Sequence, residues 1–546
     1  MTVDFVEVKV EEGILRGREE QSDGLTSIKY FSFLGIPYAK HPIGDLRFKE
    51  PQPLDPWDGV RDALEEGSPS VQNGMIPGDI QGSEDCLYLN VYTPVHPHNI
   101  KKLRPVLFSM HGGGFAIGSG NKAMTPPDIF IEQDVLFVAP NYRLGALGFL
   151  SLQNDEVSGN CGLKDLYEAL RWTRRNIKKF AGDPDNVTVI GMSSGAAAIE
   201  YFLVSDLSRG MFKQAICQCA TSLSPGLMNS KPRSLAVKLA ESLGYVGDTE
   251  DDTALLNFLK QCPANDIVRK QTDLTSFQER MLFYSLTFAP CVEKEGKGLK
   301  FLTRNPKETF QNGDFYKVPV IIGHSTVEGS IMLSPILRVD VDLINKNWEI
   351  LIPVNMDVPK SETTEVATEI MRFYFDCKPV SWDNIHPLIN LVGDVVIHFG
   401  MNKTTSLMAA HSPYPVYSYR ASKVKTNSMS QMLFEKAYPD VHIQGAPHCS
   451  ETEFLYKFKI PNLPASTDFT PEEKIFAKTL STMLTTFCKT GNPNCEKTNF
   501  PGWEATTSSN PQYLDLGDDL KMIKGTLYEE RLQFWEHLYK KYGYLY

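Results

Sequence analysis

Val187-Thr-Val-Ile-Gly191-Met192-Ser193-Ser194-Gly195-Ala196-Ala-Ala-Ile-Glu-Tyr-Phe-Leu203 is the stretch on which the reading of this chain turns. Its β-branched start favours extended backbone and its alanine-rich end favours a helix, so Gly-x-Ser-x-Gly has to turn the chain sharply between them. Glycines at 191 and 195 leave room for strained backbone at Ser193. The Ser193 hydroxyl then projects above the end of a strand, at a helix amino terminus where developing negative charge is favoured. On the motif alone, a Gly/Ser turn that merely caps a helix competes with this reading; the strand before and the helix after weigh against it. Ser194 lacks a glycine two residues to either side, so its contribution is read as a backbone N–H.

Working outward, short β-branched or aromatic runs recur at Val106–Met110, Val135–Ala139, Gln214–Cys219, Val318–Ile322 and Val416–Tyr419. Amphipathic helical patterns separate them, Leu163–Phe180 being the clearest. Strand then helix, repeated, predicts an α/β protein with a central, mostly parallel sheet covered by helices. Two long helical stretches, roughly 230–313 and 333–412, interrupt the series. They are expected as insertions beside the carboxyl edge of the sheet, walling a gorge over the site. Neither an internal repeat nor a Ser/Gly-rich or Pro-rich linker divides residues 1–546, so a single domain is expected.

A formal net charge of −11 argues against nucleic acid or an anionic membrane surface as partner and leaves small molecules. The local cluster Arg174, Arg175, Lys178 and Lys179 reads as one solvated helical face. The start, Met1-Thr-Val-Asp-Phe-Val-Glu-Val-Lys-Val, alternates like a strand, and the end, Trp535–Tyr546, reads as an amphipathic aromatic helix. With no apolar run of about 18 residues, the expected location is the cytoplasm. The ten cysteines show no paired zinc-ligand spacing and are expected reduced, with no metal and no cofactor. Cys217 and Cys219 are placed on the same side of one strand, poor geometry for a mutual bridge. Nothing in the sequence signals an oligomeric state.

If Ser193 is a nucleophile, it needs donors for the oxyanion, a base, and a carboxylate behind the base. His111-Gly-Gly-Gly-Phe115 directly follows a strand, and its side-chain-free residues would let a carbonyl oxygen approach the N–H groups of Gly113 and Gly114, with Ser194 as third donor. Each such donor is worth roughly 3 to 4 kcal/mol. No Gly-Lys-Ser/Thr follows, which argues against a phosphate loop, and His111 is read as structural. Beyond Ser193 the candidate bases are His386, His398, His411, His442, His448 and His537. His448 is favoured because it lies in the turn-rich Gln-Gly-Ala-Pro-His-Cys-Ser, where a loop can carry a ring to the edge of the sheet. Glu328 follows a strand-like run into a loop, as a triad acid must; a solvated loop glutamate is the alternative on spacing alone.

With these residues in view, the chain resembles the carboxylesterase and cholinesterase family over essentially its whole length. The resemblance rests on Phe33-Leu-Gly-Ile-Pro-Tyr-Ala39, Leu46-Arg-Phe48, Pro56-Trp-Asp-Gly59, Ser83-Glu-Asp-Cys-Leu-Tyr-Leu-Asn-Val91 and His111-Gly-Gly-Gly-Phe115. It continues in Asn141-Tyr-Arg-Leu-Gly145, Phe180-Ala-Gly-Asp-Pro-Asp-Asn-Val-Thr188, the Ser193 turn, Glu328-Gly329 and Gly445-Ala-Pro-His448. Within the family it looks most like the cytosolic α-esterases of insects.

The resemblance implies an α/β-hydrolase fold and a serine carboxylesterase of broad specificity, acting through an acyl-enzyme. Ser193, Glu328 and His448 would be its triad and Gly113, Gly114 and Ser194 its oxyanion hole. Phe115, Met192 and Gly226 would line the substrate pocket. It also implies ion pairs Arg47–Glu84 and Arg143–Asp165. A specialised hormone or odorant esterase is the alternative within enzymes, and a non-catalytic interaction protein on the same scaffold the alternative outside them.

The chain departs from the family pattern at several positions. Met192 and Ser194 replace Glu and Ala beside the nucleophile, Cys219 replaces a serine near the base, and Cys449 stands where a small residue is usual. Ser70 replaces the disulfide partner of Cys86, Val71–Gly82 contains no aromatic residue to hold a choline cation, and Gly226 stands where a Trp is common.

Overall fold

The computed structural model describes residues 4–74, 78–281, 288–333, 339–439, 441–460, 468–496, 498, 500 and 502–543. Some sequence expectations fall partly outside these residues: the first three positions of the amino-terminal run, 75–77 of the aromatic-free segment, 282–287 and 334–338 of the helical stretches, and the last three residues.

A 13-stranded sheet organises the chain. In chain order its longer strands are β1 (Phe5–Lys9), β2 (Ile14–Gln21), β3 (Lys29–Pro37), β4 (Tyr88–Thr93), β5 (Arg104–Met110), β6 (Leu136–Pro140), β7 (Gly182–Met192), β8 (Gln214–Gln218), β9 (Val320–Ser325), β10 (Val416–Ala421), β11 (Gln512–Leu516) and β12 (Leu520–Lys524). Across the sheet they run β1-β2-β3-β4-β6-β5-β7-β8-β9-β10-β11-β12, with the short Val60–Asp62 paired to β2. From β6 to β11 every neighbour is parallel. The pairs β1-β2, β2-β3, β3-β4, β4-β6 and β11-β12 are antiparallel.

Burial explains which strands are parallel. Every residue of β6, β8 and β9 is buried, as both faces of a parallel sheet must be covered, whereas the edge strand β1 alternates buried and exposed positions. Side chains of alternate residues enter opposite cores. Val106, Phe108, Val189, Ala215, Val320 and Ile322 join one cluster. Leu107, Ile190, Ile216 and Ile321 join the other. The first core packs α1 (Cys161–Asn176) and α2 (Ser194–Val204), and the second packs α3 (Pro471–Thr490), whose residues Leu480, Met483, Leu484 and Phe487 are buried.

Both helical stretches are present. The first carries Pro232–Ser242, Asp252–Gln261 and Ala264–Gln271, and the second Thr363–Phe375, His386–Gly393 and Phe399–His411. The final helix, α4 (Glu529–Tyr542), buries Trp535, Leu538, Tyr539 and Tyr542 in the first core. No helix among the described residues is long and apolar enough to cross a membrane.

Several boundaries move. The strand expected at Val318 begins at Val320 because Pro319 has no N–H for a ladder bond, and it runs on to Ser325. Helix α1 stops at Asn176; Ile177–Phe180 tightens into a 3₁₀ turn closed by Ala181 at φ 73°. Strand β8 ends at Gln218, and Cys219 turns into left-handed backbone at φ 61°. The expectation that Cys217 and Cys219 share one side of a strand is therefore corrected: only Cys217 lies in the strand, inside the first core.

Two ion pairs, one part-buried and one fully buried, pin the sheet to its surroundings. Arg47 grips Glu84 through two bonds of 2.6 and 2.5 Å and also donates to the carbonyls of Lys260 and Cys262, tying the first helical stretch down. Arg143 makes a two-pronged pair with Asp165 at 2.8 and 2.7 Å, and that carboxylate also accepts the Arg143 backbone N–H.

Candidate active site

Strand β7 and helix α2 meet at Ser193, whose backbone adopts φ 52° and ψ −128°. Few non-glycine residues tolerate that conformation, and the surroundings enforce it. A Cβ on Gly191 would lie 2.4 Å from the Gly195 carbonyl carbon, and one on Gly195 would lie 2.0 Å from the Met110 oxygen. Only glycine allows strand, turn and helix to approach so closely. The Ser193 N–H donates to the Gln218 carbonyl at 2.7 Å, anchoring the turn to β8.

Glu328 and His448 arrive on two neighbouring loops that are stitched together. Residues Val327 and Pro447 form a bridge, the Val327 N–H donates to the Ala446 carbonyl at 2.9 Å, and the Ala446 N–H donates to Thr326 Oγ1 at 2.8 Å. Ser330 Oγ accepts the His448 N–H at 3.1 Å. The imidazole Nε2 then stands 3.1 Å from Ser193 Oγ, and Nδ1 donates to Glu328 Oε2. The other Glu328 oxygen accepts the Ser325 N–H at 2.6 Å. Three side chains expected from sequence to act together are thus in series.

Their electrostatics suit one another. Burial alone would raise the Glu328 carboxyl, but the charge and hydrogen bond of His448 outweigh it and hold the group below its ordinary value. Burial would likewise lower His448, yet the adjoining Cys449 and Glu328 favour its charged form and lift it well above 6.5. A carboxylate that stabilises an imidazolium is what proton removal from serine requires.

The glycine loop lies against this serine. A Cβ on Gly112 would meet the Met192 oxygen at 2.7 Å and the Ser193 Cβ at 3.1 Å. Gly113, Gly114 and Phe115 all take positive φ, at 111°, 64° and 58°. Ser194 opens α2, where the first N–H groups have no partner within the helix. Its hydroxyl does more than the sequence suggested: Ser194 Oγ accepts the Phe115 N–H at 3.2 Å, fastening the glycine loop to the helix. The Phe115 ring is fully buried beside Phe149, Met192 is half-buried, and Gly226 sits in a buried loop at φ 78°.

His111 is a scaffold residue. Its ring stacks on Tyr142 with centroids 4.3 Å apart, and Nδ1 donates to the Gly112 carbonyl at 2.8 Å. Burial pushes its pKa down to about 4, so it stays neutral.

Sequence reasoning missed the residues behind His448. Glu451 is buried and accepts from Tyr419 Oη at 2.7 Å, Ser325 Oγ at 3.1 Å and Cys219 Sγ at 3.1 Å. Only its position, two residues past the Pro-His-Cys loop, hinted at a role.

Comparison with known proteins gives the chain's family and fold. The model of the carboxylesterase family matches residues 4–535. The chain is 31% identical over 502 residues to venom carboxylesterase-6 of Apis mellifera, covering 90% of this chain and 86% of that protein. It is 31% identical over 529 residues to the juvenile hormone esterase of Heliothis virescens, covering 93% and 89%. The structure of the juvenile hormone esterase of Manduca sexta with OTFP covalently attached superposes with a TM-score of 0.85 at 28% identity, covering 98% of this chain and 100% of that one. The α/β-hydrolase fold expected from the sequence is thereby established, and the chain belongs to the carboxylesterase family, as a hydrolase of carboxylic esters.

Proposed function

We propose that this esterase works by serine chemistry with an acyl-enzyme intermediate. The observation that carries the reading is the series from Ser193 Oγ to His448 Nε2 at 3.1 Å and on through Nδ1 to Glu328. In the proposed cycle His448 takes the Ser193 proton as its oxygen attacks the ester carbonyl, and the N–H groups of Gly113, Gly114 and Ser194 receive the charge on the oxyanion. His448 returns the proton to the departing alcohol. Water then repeats the sequence on the acyl-enzyme and releases the acid. The test is hydrolysis of p-nitrophenyl esters by the wild type and Ser193→Ala: a loss of at least about 10³-fold is expected, together with loss of organophosphate labelling. A variant that keeps its rate refutes the serine mechanism.

A broad ester range, with detoxification as the role, is the first reading of substrate. It rests on the proposal that Gly226, which has no side chain, lines the pocket and leaves room there for bulky esters. A hormone-type ester is the second reading, supported by the juvenile hormone esterases among the relatives. Rates across a panel of acyl and alcohol lengths separate the two: comparable kcat/KM over many esters favours the first, and one dominant ester the second. A cytoplasmic location fits Ser70, whose hydroxyl accepts the Leu144 N–H at 3.2 Å where a secreted relative would bridge to Cys86. Fractionation of cells that express this chain, with an antibody to it, tests the location.

A further inference from the structure

Two cysteines converge on the imidazole. Cys219 closes β8 and Cys449 follows His448, and both adopt left-handed backbone at φ 61°. One donor atom from each of Cys219, His448 and Cys449 lies within 4.8 Å of the others. Donors around a tetrahedral zinc, with Zn–S about 2.3 Å and Zn–N about 2.0 Å, stand roughly 3.5 to 3.8 Å apart, so these atoms need shifts of about 1 Å. Glu451 stands outside that group and supports it: its Oε1 accepts from Cys219 Sγ at 3.1 Å. That carboxylate is already held by Tyr419 and Ser325, the kind of outer support that orients a metal ligand.

We propose that Cys219, Cys449 and His448 form a binding site for a thiophilic divalent cation of the zinc class, with water in the fourth position. Two sulfurs and one imidazole nitrogen suit zinc or cadmium and not magnesium or calcium, which prefer all-oxygen shells. On binding, each thiol gives its proton to solvent and the sulfurs replace metal-bound water; no electron moves. Spacing along the chain concealed the site, because its ligands come from the end of β8 and from a loop on the far side of β9.

Occupation arrests hydrolysis whichever ring nitrogen is used. Nε2 faces Ser193 and Nδ1 faces Glu328, so a metal on the first removes the base and a metal on the second removes its orienting carboxylate. This inhibitory consequence rests on the serine-esterase reading; the binding itself does not.

Cobalt(II) added to chelator-treated full-length protein tests the site directly. The expected result is thiolate-to-cobalt charge-transfer absorption with tetrahedral visible bands, saturating at one equivalent per chain. It should vanish in Cys219→Ser/Cys449→Ser, weaken in Cys449→Ser alone, and persist in Cys377→Ser, which alters an exposed cysteine. Absence of that absorption in the wild type, or its persistence in the double variant, overturns the site. In p-nitrophenyl butyrate hydrolysis, the zinc concentration for half-inhibition should rise at least about tenfold in the double variant, measured against its own zinc-free rate. Equal sensitivity overturns the inhibitory role. A chain that gives the cobalt spectrum but whose metal-free form hydrolyses esters as fast after Ser193→Ala overturns the serine reading and upholds the site.

Discussion

Replacing Glu200 by glutamine is expected to flatten the dependence of stability on pH. Glu200 lies in α2, fully buried, and its Oε2 accepts from Thr221 Oγ1 at 2.6 Å, the Ser222 N–H at 2.7 Å and Ser222 Oγ at 2.6 Å. Its Oε1 meets no partner among the described residues. Burial pushes the carboxyl up from 4.5 to about 7, against the pull of the Ser222 and Thr221 hydrogen bonds. Between those values the folded chain keeps a proton that the unfolded chain has released, so stability falls as pH rises, by about 1.4 kcal/mol per pH unit. The fall starts near the unfolded value, ends near the folded one, and totals roughly 3 kcal/mol. Glutamine retains an acceptor for the three donors and cannot ionise. Its amide N–H₂ lacks a partner where Oε1 now sits, which costs about 1 to 3 kcal/mol at every pH. The diagnostic is therefore the change with pH and not the stability at any one pH. Denaturant unfolding of both proteins at pH 5 and pH 8 should show the difference moving in favour of the variant by roughly 2 to 3 kcal/mol. Parallel behaviour of the two proteins would refute the account of a neutral buried carboxyl.

Three further outcomes are expected. Glu328→Gln should lower kcat by about 10⁴-fold with little change in KM, because an amide neither fixes the imidazole tautomer nor stabilises its charged form; a loss below tenfold contradicts the series. The acid limb of kcat/KM against pH should have its midpoint above 6.5, since His448 holds its proton well above that value and a protonated ring cannot accept from Ser193; a midpoint at or below 6.5 contradicts the electrostatics. Gly226→Trp should lower the melting temperature, because a side chain at φ 78° costs about 1 to 2 kcal/mol, and should slow bulky esters more than short ones; unchanged bulky-ester rates would remove Gly226 from the pocket.

What the sequence revealed followed from how local each signal was. The Ser193 turn was readable because strand, glycines and helix lie within seventeen residues, and the central strands because complete burial makes them continuous apolar runs. Strands β2 to β4 and β11 to β12 escaped notice. They pair antiparallel with one another, and β2, Ile-Leu-Arg-Gly-Arg-Glu-Glu-Gln, carries so many charges on its open side that no apolar run stands out. Glu328 and His448 could be proposed from the order of a triad. Glu451, Ser325 and Tyr419 could not, because they meet only through space. The same holds for Lys164 and Glu293, buried partners at 2.7 Å joining α1 to the first helical stretch. The second role of Ser194 was equally hidden, since nothing local tells a serine hydroxyl that it will face the Phe115 amide.

The contact between Gly191 and Gly195 divides the four residues around Ser193 into two kinds. At 191 and 195 a single added methyl collides with main chain, which cannot swing aside, so those positions admit one amino acid. At 192 the side chain is half-buried, whereas at 194 it is fully buried and its Oγ accepts the Phe115 N–H. Chemistry next to the nucleophile can therefore be retuned at 192 without rebuilding the mount that aims it, while an exchange at 194 also loosens the glycine loop.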